Sequence, residues 1–145
     1  MPEIRNIKAL EAYLQKYIND ALQDEVTADV KAYMSDVVQV VVYDAYKPRE
    51  YIRRENNGGL SDQDNITGEI VSDGRLEISN DTPFNGDNPY KDTLTEVIVT
   101  GEGYNYDSGI GARDFIQDTK DVLASTKAHV DALKNGMKKR GFDVK

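Results

Sequence analysis

From Phe115 to Met137 the side chains Phe115, Thr119, Val122, Thr126, Val130, Leu133 and Met137 recur at steps of three or four. That spacing holds one stripe on one helical face for about six turns at 3.6 residues per turn. A single long amphipathic helix is therefore predicted to close the chain. Asp114, Asp118 and Asp121 come early in it, and Lys134, Lys138, Lys139 and Arg140 come late. This order complements the helix dipole, and Gly141 supplies the stop.

Two further periodic segments lie at the other end. Ile7, Leu10, Leu14, Ile18 and Leu22 share a stripe over about Asn6 to Leu22, with Asn6 as the cap. Val30, Met34, Val37 or Val38, Val41 and Ala45 continue helical spacing over about Thr27 to Ala45, with Thr27 as a second cap. The run Val37-Val38-Gln39-Val40-Val41-Val42 is rich in β-branched residues, whose stiffness favours strand. The longer window favours helix, and helix is the expectation. Pro48 ends it by biasing Lys47 away from helical angles.

The middle reads differently. Asn56-Asn57-Gly58-Gly59 is a turn signal. Asn65 to Val71 and Arg75 to Asn80 read as two short strands, joined by Ser72-Asp73-Gly74. Asn80 to Asp92 is a polar excursion with Pro83, Gly86 and Pro89. Leu94 to Thr100 is a third strand, or a short helix running into one. Gly101 to Gly111, with four glycines, is a loop able to change shape, expected to be mobile in the free subunit and ordered on assembly. The class expected is α+β, with N-terminal helices and a long C-terminal helix packed on a small antiparallel sheet, in one domain of residues 1–145. No internal repeat is visible.

Charge is distributed as unevenly as structure. Glu55 to Asp107 holds 12 acidic residues against Arg75 and Lys91, a net of −10, while the remainder is +2. The acidic middle is either solvated loop surface or a face for a basic partner. The overall charge of −8 argues against nonspecific binding to nucleic acid, which depends on neutralising phosphates. No run approaches the roughly 20 apolar residues of a membrane helix. The stretch from Met1 to Arg5 has no apolar run, so no secretory signal is expected and synthesis in the cytoplasm follows. Without cysteine, disulfides and thiolate metal sites are excluded.

The usual chemical constellations are missing. His129 is the only histidine, so a two-histidine metal site cannot be built. No Gly-x-Ser-x-Gly elbow occurs, and Gly101-Glu102-Gly103 lacks the third glycine of a dinucleotide loop. Asp62-Gln63-Asp64-Asn65 opens like a calcium loop, but the glycine and closing glutamate do not follow in place. Asn65-Ile66-Thr67 and Asn80-Asp81-Thr82 match the glycosylation pattern by chance. No carboxylate pair stands out by its spacing. The expectation is a protein without catalytic, cofactor-binding or metal-binding residues.

The informative cluster is Val42-Tyr43-Asp44-Ala45-Tyr46-Lys47-Pro48-Arg49-Glu50-Tyr51-Ile52-Arg53-Arg54, followed by Gly58-Gly59-Leu60. Tyrosine offers apolar area with a polar tip and arginine a rigid donor fork, a combination enriched at protein interfaces. The same tyrosines can equally cover one end of the core. The run resembles a family of minor structural proteins of tailed phages, described as head–tail joining, neck or tail-completion proteins. Later elements resemble that family in order. Leu94 to Val99 leads into Gly101-Glu102-Gly103, Arg113-Asp114-Phe115-Ile116 opens the last helix, and Leu133 to Gly141 closes it. Asp114 stands where that family often has proline, and aspartate also suits a first helical turn.

The resemblance implies a structural virion protein of a long-tailed phage at the head–tail connector, made in the host cytoplasm. Its partners would be itself, in a six-fold or twelve-fold ring, and other connector and tail proteins. Neither membrane nor direct sequence-specific nucleic-acid binding is expected. Tyr43, Tyr46, Tyr51, Arg53, Arg54, Tyr104, Tyr106 and Arg113 are the candidate interface residues, with Arg53 and Arg54 expected to meet carboxylates. Two other classes stand beside it. One is an acidic DNA mimic inhibiting a host nucleic-acid enzyme, which would need carboxylates at phosphate-like spacing on a rigid face. The other is an enzyme, which would need a cleft gathering the scattered acids.

Overall fold

The computed structural model describes residues 5–45, 53–84, 93–102 and 111–145. Helix dominates, and the fold is α+β. Helix α1 (Ile7–Ala21) starts where Asn6 accepts a hydrogen bond from the Ala9 amide at 2.8 Å. No break separates it from α2 (Thr27–Val38); a π turn, Leu22–Val26, joins them, and a second π turn, Gln39–Tyr43, follows α2. The β-branched run is thus helical. Thr27 is not a cap. Its hydroxyl donates to the Leu22 carbonyl at 3.0 Å inside the first π turn.

The π turns explain which face is buried. Ala21, Val26, Val30, Met34, Val38 and Val42 are buried. Four of those five steps are four residues long, and the step across the first π turn is five. A π turn takes one extra residue per turn, so Ala21 and Val26 keep one face. Across the second π turn the buried position is Val42, four residues after Val38, where Val41 was expected, and Ala45 is exposed. The helix ends at Tyr43. Pro48, the residue expected to stop it, lies outside the described residues.

Strands β1 (Ile66–Ser72) and β2 (Arg75–Asn80) form a two-stranded antiparallel sheet. Gly74 turns the hairpin with φ +73°, a left-handed conformation that glycine adopts without strain. Leu94–Thr100 resolves to helix, α3, capped by Thr93 and stopped by left-handed Gly101. The C-terminal stripe is two helices, not one. Helix α4 (Phe115–Thr126) and α5 (Ala128–Lys139) are separated by Lys127 at φ +58°. Asp114 opens α4 by accepting from the Gln117 amide at 3.0 Å, so the absent proline leaves the helix start intact. Left-handed Gly141 follows α5, and the Phe142 amide reaches back to the Met137 carbonyl at 3.1 Å.

The chain forms two compact units, residues 1–30 with 68–78 and 127–145, and residues 31–67 with 79–126. In the first, Gly136 of α5 packs on α1, where a Cβ would stand 3.0 Å from that of Ala21. Arg140 forks between Asp24 at 2.8 Å and Glu25 at 2.7 Å, so part of the basic chain end is spent within the unit. Tyr13, Tyr17 and Phe142 form an aromatic cluster. Asn19 holds the hairpin tip, accepting from the Gly74 amide at 2.8 Å and donating to Asp73 at 3.1 Å. The second unit is built around Val38, Val42, Leu60, Ile66, Val97, Ile98 and Phe115, all buried.

Candidate functional site

The second π turn ends in carbonyl groups that no further helical turn can satisfy. Two arginines distant in sequence take them. Arg53 donates to the Tyr43 carbonyl at 2.6 Å, and its guanidinium lies 5.1 Å from the centre of the Tyr43 ring. Arg113 donates to the Val42 carbonyl at 3.3 Å. A buried Tyr43 directs its hydroxyl at the Leu60 amide, which donates to it at 3.1 Å. Arg54 donates to the Pro83 carbonyl at 2.6 Å. The acceptors of these three arginine bonds are main-chain carbonyls.

Gly58 and Gly59 make the turn that presents Leu60. The Gly59 amide bonds the Glu55 carbonyl at 2.9 Å, and a Cβ at Gly59 would lie 2.5 Å from Glu55 backbone atoms. Asp62 closes the same turn, accepting from the amides of Asp64 at 2.9 Å and Gly58 at 2.6 Å. The Asp64 amide first, then that of Gly58 and the charge of Lys31, hold the Asp62 carboxyl below its ordinary value. Each of its oxygens thus accepts a turn amide. Among the described residues, no three His, Asp or Glu side chains gather as metal ligands, and no helix is long and apolar enough to cross a membrane. His129 sits half-buried on α5.

Under the turn lies a polar centre that sequence reasoning missed. Asn80 donates to the Leu60 carbonyl at 2.9 Å, and its side-chain oxygen accepts from Thr82 at 2.6 Å and Thr95 at 2.7 Å. All three are buried. Period-two alternation through Leu76 and Ile78 already puts Asn80 on the inward face. Reading it as the first residue of a polar excursion hid that.

The described residues on either side of 103–110 lie close together. The Arg113 amide bonds the Ile98 carbonyl at 2.9 Å, and a Cβ at Gly101 would stand 2.5 Å from the Ala112 nitrogen. Tyr46, Tyr51, Tyr104 and Tyr106 themselves, and the expected mobility of 101–111, fall mostly on residues outside those described.

No curated protein and no solved structure matches this chain. The profile of one family, YomN, matches residues 6–139, which takes in the helix end, the glycine turn, the Asn80 centre and both arginines. On that coverage the chain belongs to the YomN family, a family of phage origin, and is a phage protein.

Proposed function

We propose that the chain is a structural protein of a long-tailed phage, working at the head–tail connector as a subunit of a ring that joins or completes the tail. The observation that carries this reading is the meeting of two candidate interface residues distant in sequence, Arg53 and Arg113, at one helix terminus. Arg53 donates to the Tyr43 carbonyl of that terminus and Arg113 to the Val42 carbonyl. Tyr43, Arg53 and Arg113 of the candidate interface residues meet there. Tyrosine beside arginine is the composition of a protein–protein contact. Membership of a family of phage origin supports the same reading, as does the order of motifs from Tyr43 to Gly141.

A ring needs two unlike faces on each subunit, and the acidic region from Glu55 to Asp107 against the balanced remainder supplies unlike charge. The test is a reconstruction of the virion neck combined with an antibody against this chain. The expected result is a six-fold or twelve-fold ring at the head–tail junction. Particles without the chain, or with the chain elsewhere in the tail or capsid, overturn the proposal.

A further inference from the structure

The apolar stripe of α1 continues past the point where the subunit buries it. Ala21 is fully buried, yet every residue from Arg5 to Ala12 is exposed, with Ile7 at 74% and Leu10 at 41%. Two helical turns thus present apolar side chains to solvent, as a partner-binding helix does. Arg5 and Lys8 flank Ile7, and no acidic residue lies between Arg5 and Leu10.

The outward face of the hairpin has the opposite character. The Asp81 amide bonds the Asn65 carbonyl, the Thr67 and Ser79 hydroxyls meet at 3.1 Å, and Ile78 abuts Gly68. This register sets Glu69 directly opposite Glu77 on the exposed face, with side chains about 5 Å apart at their Cβ atoms. Like charges so placed destabilise a ladder. Among the described residues neither carboxylate has an ion pair or hydrogen bond. Val71, on the same face, is 44% exposed. Arg75 stands opposite Val71 at the turn end, so the acidic character is confined to the Glu69–Glu77 pair. An acidic pair beside an apolar spot complements an apolar helix end with flanking cations.

We propose that the first two turns of α1 dock on the outward hairpin face of a second copy of this chain. Ile7 and Leu10 cover Val71, and Arg5 and Lys8 sit over the Glu69–Glu77 pair. The choice of a second copy rests on the ring reading above. The two patches differ, so the contact is heterologous and propagates from subunit to subunit.

The chain has no cysteine, which allows a direct test. Full-length Ile7→Cys and Val71→Cys proteins are mixed and oxidised, with Val40→Cys, another exposed position, as the control partner. A disulfide requires Cα atoms within about 7 Å. The expected result is a disulfide-linked pair of the Ile7→Cys and Val71→Cys proteins at several times the yield obtained with the control, both in concentrated solution and in particles. Lys8→Glu should weaken self-association about three- to fivefold, the scale of an exposed ion pair, and Glu77→Lys should restore it. A mixed yield no higher than the control, or losses that add instead of compensating, overturns the contact. Particles that contain the chain at the neck but give no such product leave the ring reading standing and remove this contact alone. A clear product from a chain absent from particles does the reverse.

Discussion

The two long apolar runs contradict their own periodicity in opposite ways. The N-terminal run slips phase by one residue between Ala21 and Val26, and the helix passes through without a break from Ile7 to Tyr43. The C-terminal run keeps phase from Phe115 to Met137, and the helix breaks at Lys127. Continuity of a helix is therefore not decided by the regularity of its stripe. It is decided by where the backbone groups find partners. In the first run the Thr27 hydroxyl takes the Leu22 carbonyl, and Gln23 donates to the Gly68 carbonyl at 2.9 Å, so the extra residue is accommodated. In the second, the stripe is sound only at its ends. Phe115, Thr119 and Met137 are buried, while Thr126 and Val130 are exposed, so little burial holds the middle straight.

If the first π turn is an inserted residue, removing one residue there should be far milder than removing one elsewhere. Deleting Gln23 turns the five-residue step from Ala21 to Val26 into an ordinary four. It should cost about 1 kcal/mol, the value of the lost bond to Gly68. Deleting Ala32, between buried Val30 and Met34, must rotate one side of the stripe out of the core. Each displaced side chain is worth about 1.5–3 kcal/mol, so a loss of about 3 kcal/mol or more is expected. Urea titrations of the two deletions decide it, and equal damage from both breaks the comparison.

The seat of that π turn gives the next largest effect. A Cβ at Gly68 would stand 2.6 Å from both the methyl and the hydroxyl of Thr27. Gly68→Ala should cost about 2–3 kcal/mol, as overpacking does in close-packed interiors. Thr27→Ala in the same chain should recover most of it, and the double-mutant cycle should report coupling of about 1 kcal/mol or more. Purely additive losses would mean that strand and helix do not meet there.

What could be read in the sequence was local. Asn6 as a cap, Ser72-Asp73-Gly74 as a hairpin turn and Gly141 as a stop each depend on neighbours a few residues away, and each stands in the structure. The five-residue step from Ala21 to Val26 could not be read, because it goes with a contact of Gln23 with Gly68, 45 residues apart. The tyrosine–arginine cluster was visible as composition, but its partners were not. Arg113 bonds a carbonyl 71 residues away, and that acceptor exists only because the helix ends at Tyr43. Asn80 is legible by alternation, although its polarity suggests a loop.

The end of the first helix sharpens the same contrast, since it is held by side chains. Arg53→Ala removes a charge-assisted bond to the Tyr43 carbonyl and a ring contact. It should destabilise by about 1.5–2 kcal/mol, the lower part of the range for bonds to charged groups, given its half-buried setting. Arg53→Lys should recover less than half, because an ammonium lacks the planar fork. Thermal melts of both variants measure this; full recovery by lysine would show that charge alone holds the helix end.

The break at Lys127 gives the smallest effect and the sharpest sign. Lys127 carries φ +58° and ψ +22°, and its carbonyl accepts from the amides of Val130 at 3.0 Å and Asp131 at 3.1 Å. A side chain in this region costs about 1–2 kcal/mol, and glycine avoids that cost. Glycine also adds freedom to the unfolded chain, which returns about 0.4–1 kcal/mol of the gain. Lys127→Gly should therefore stabilise by about 0.5 kcal/mol, although glycine inside a continuous helix would destabilise by about 1 kcal/mol. The two cases differ in sign, so a modest measurement separates them. Lys127→Ile should act oppositely, because a β-branched side chain tolerates the left-handed region worst. A higher melting temperature for the glycine variant, with a lower one for isoleucine, places the break in the folded protein in solution. The reverse order would mean that the regular stripe wins there and that Phe115 to Met137 is one helix after all.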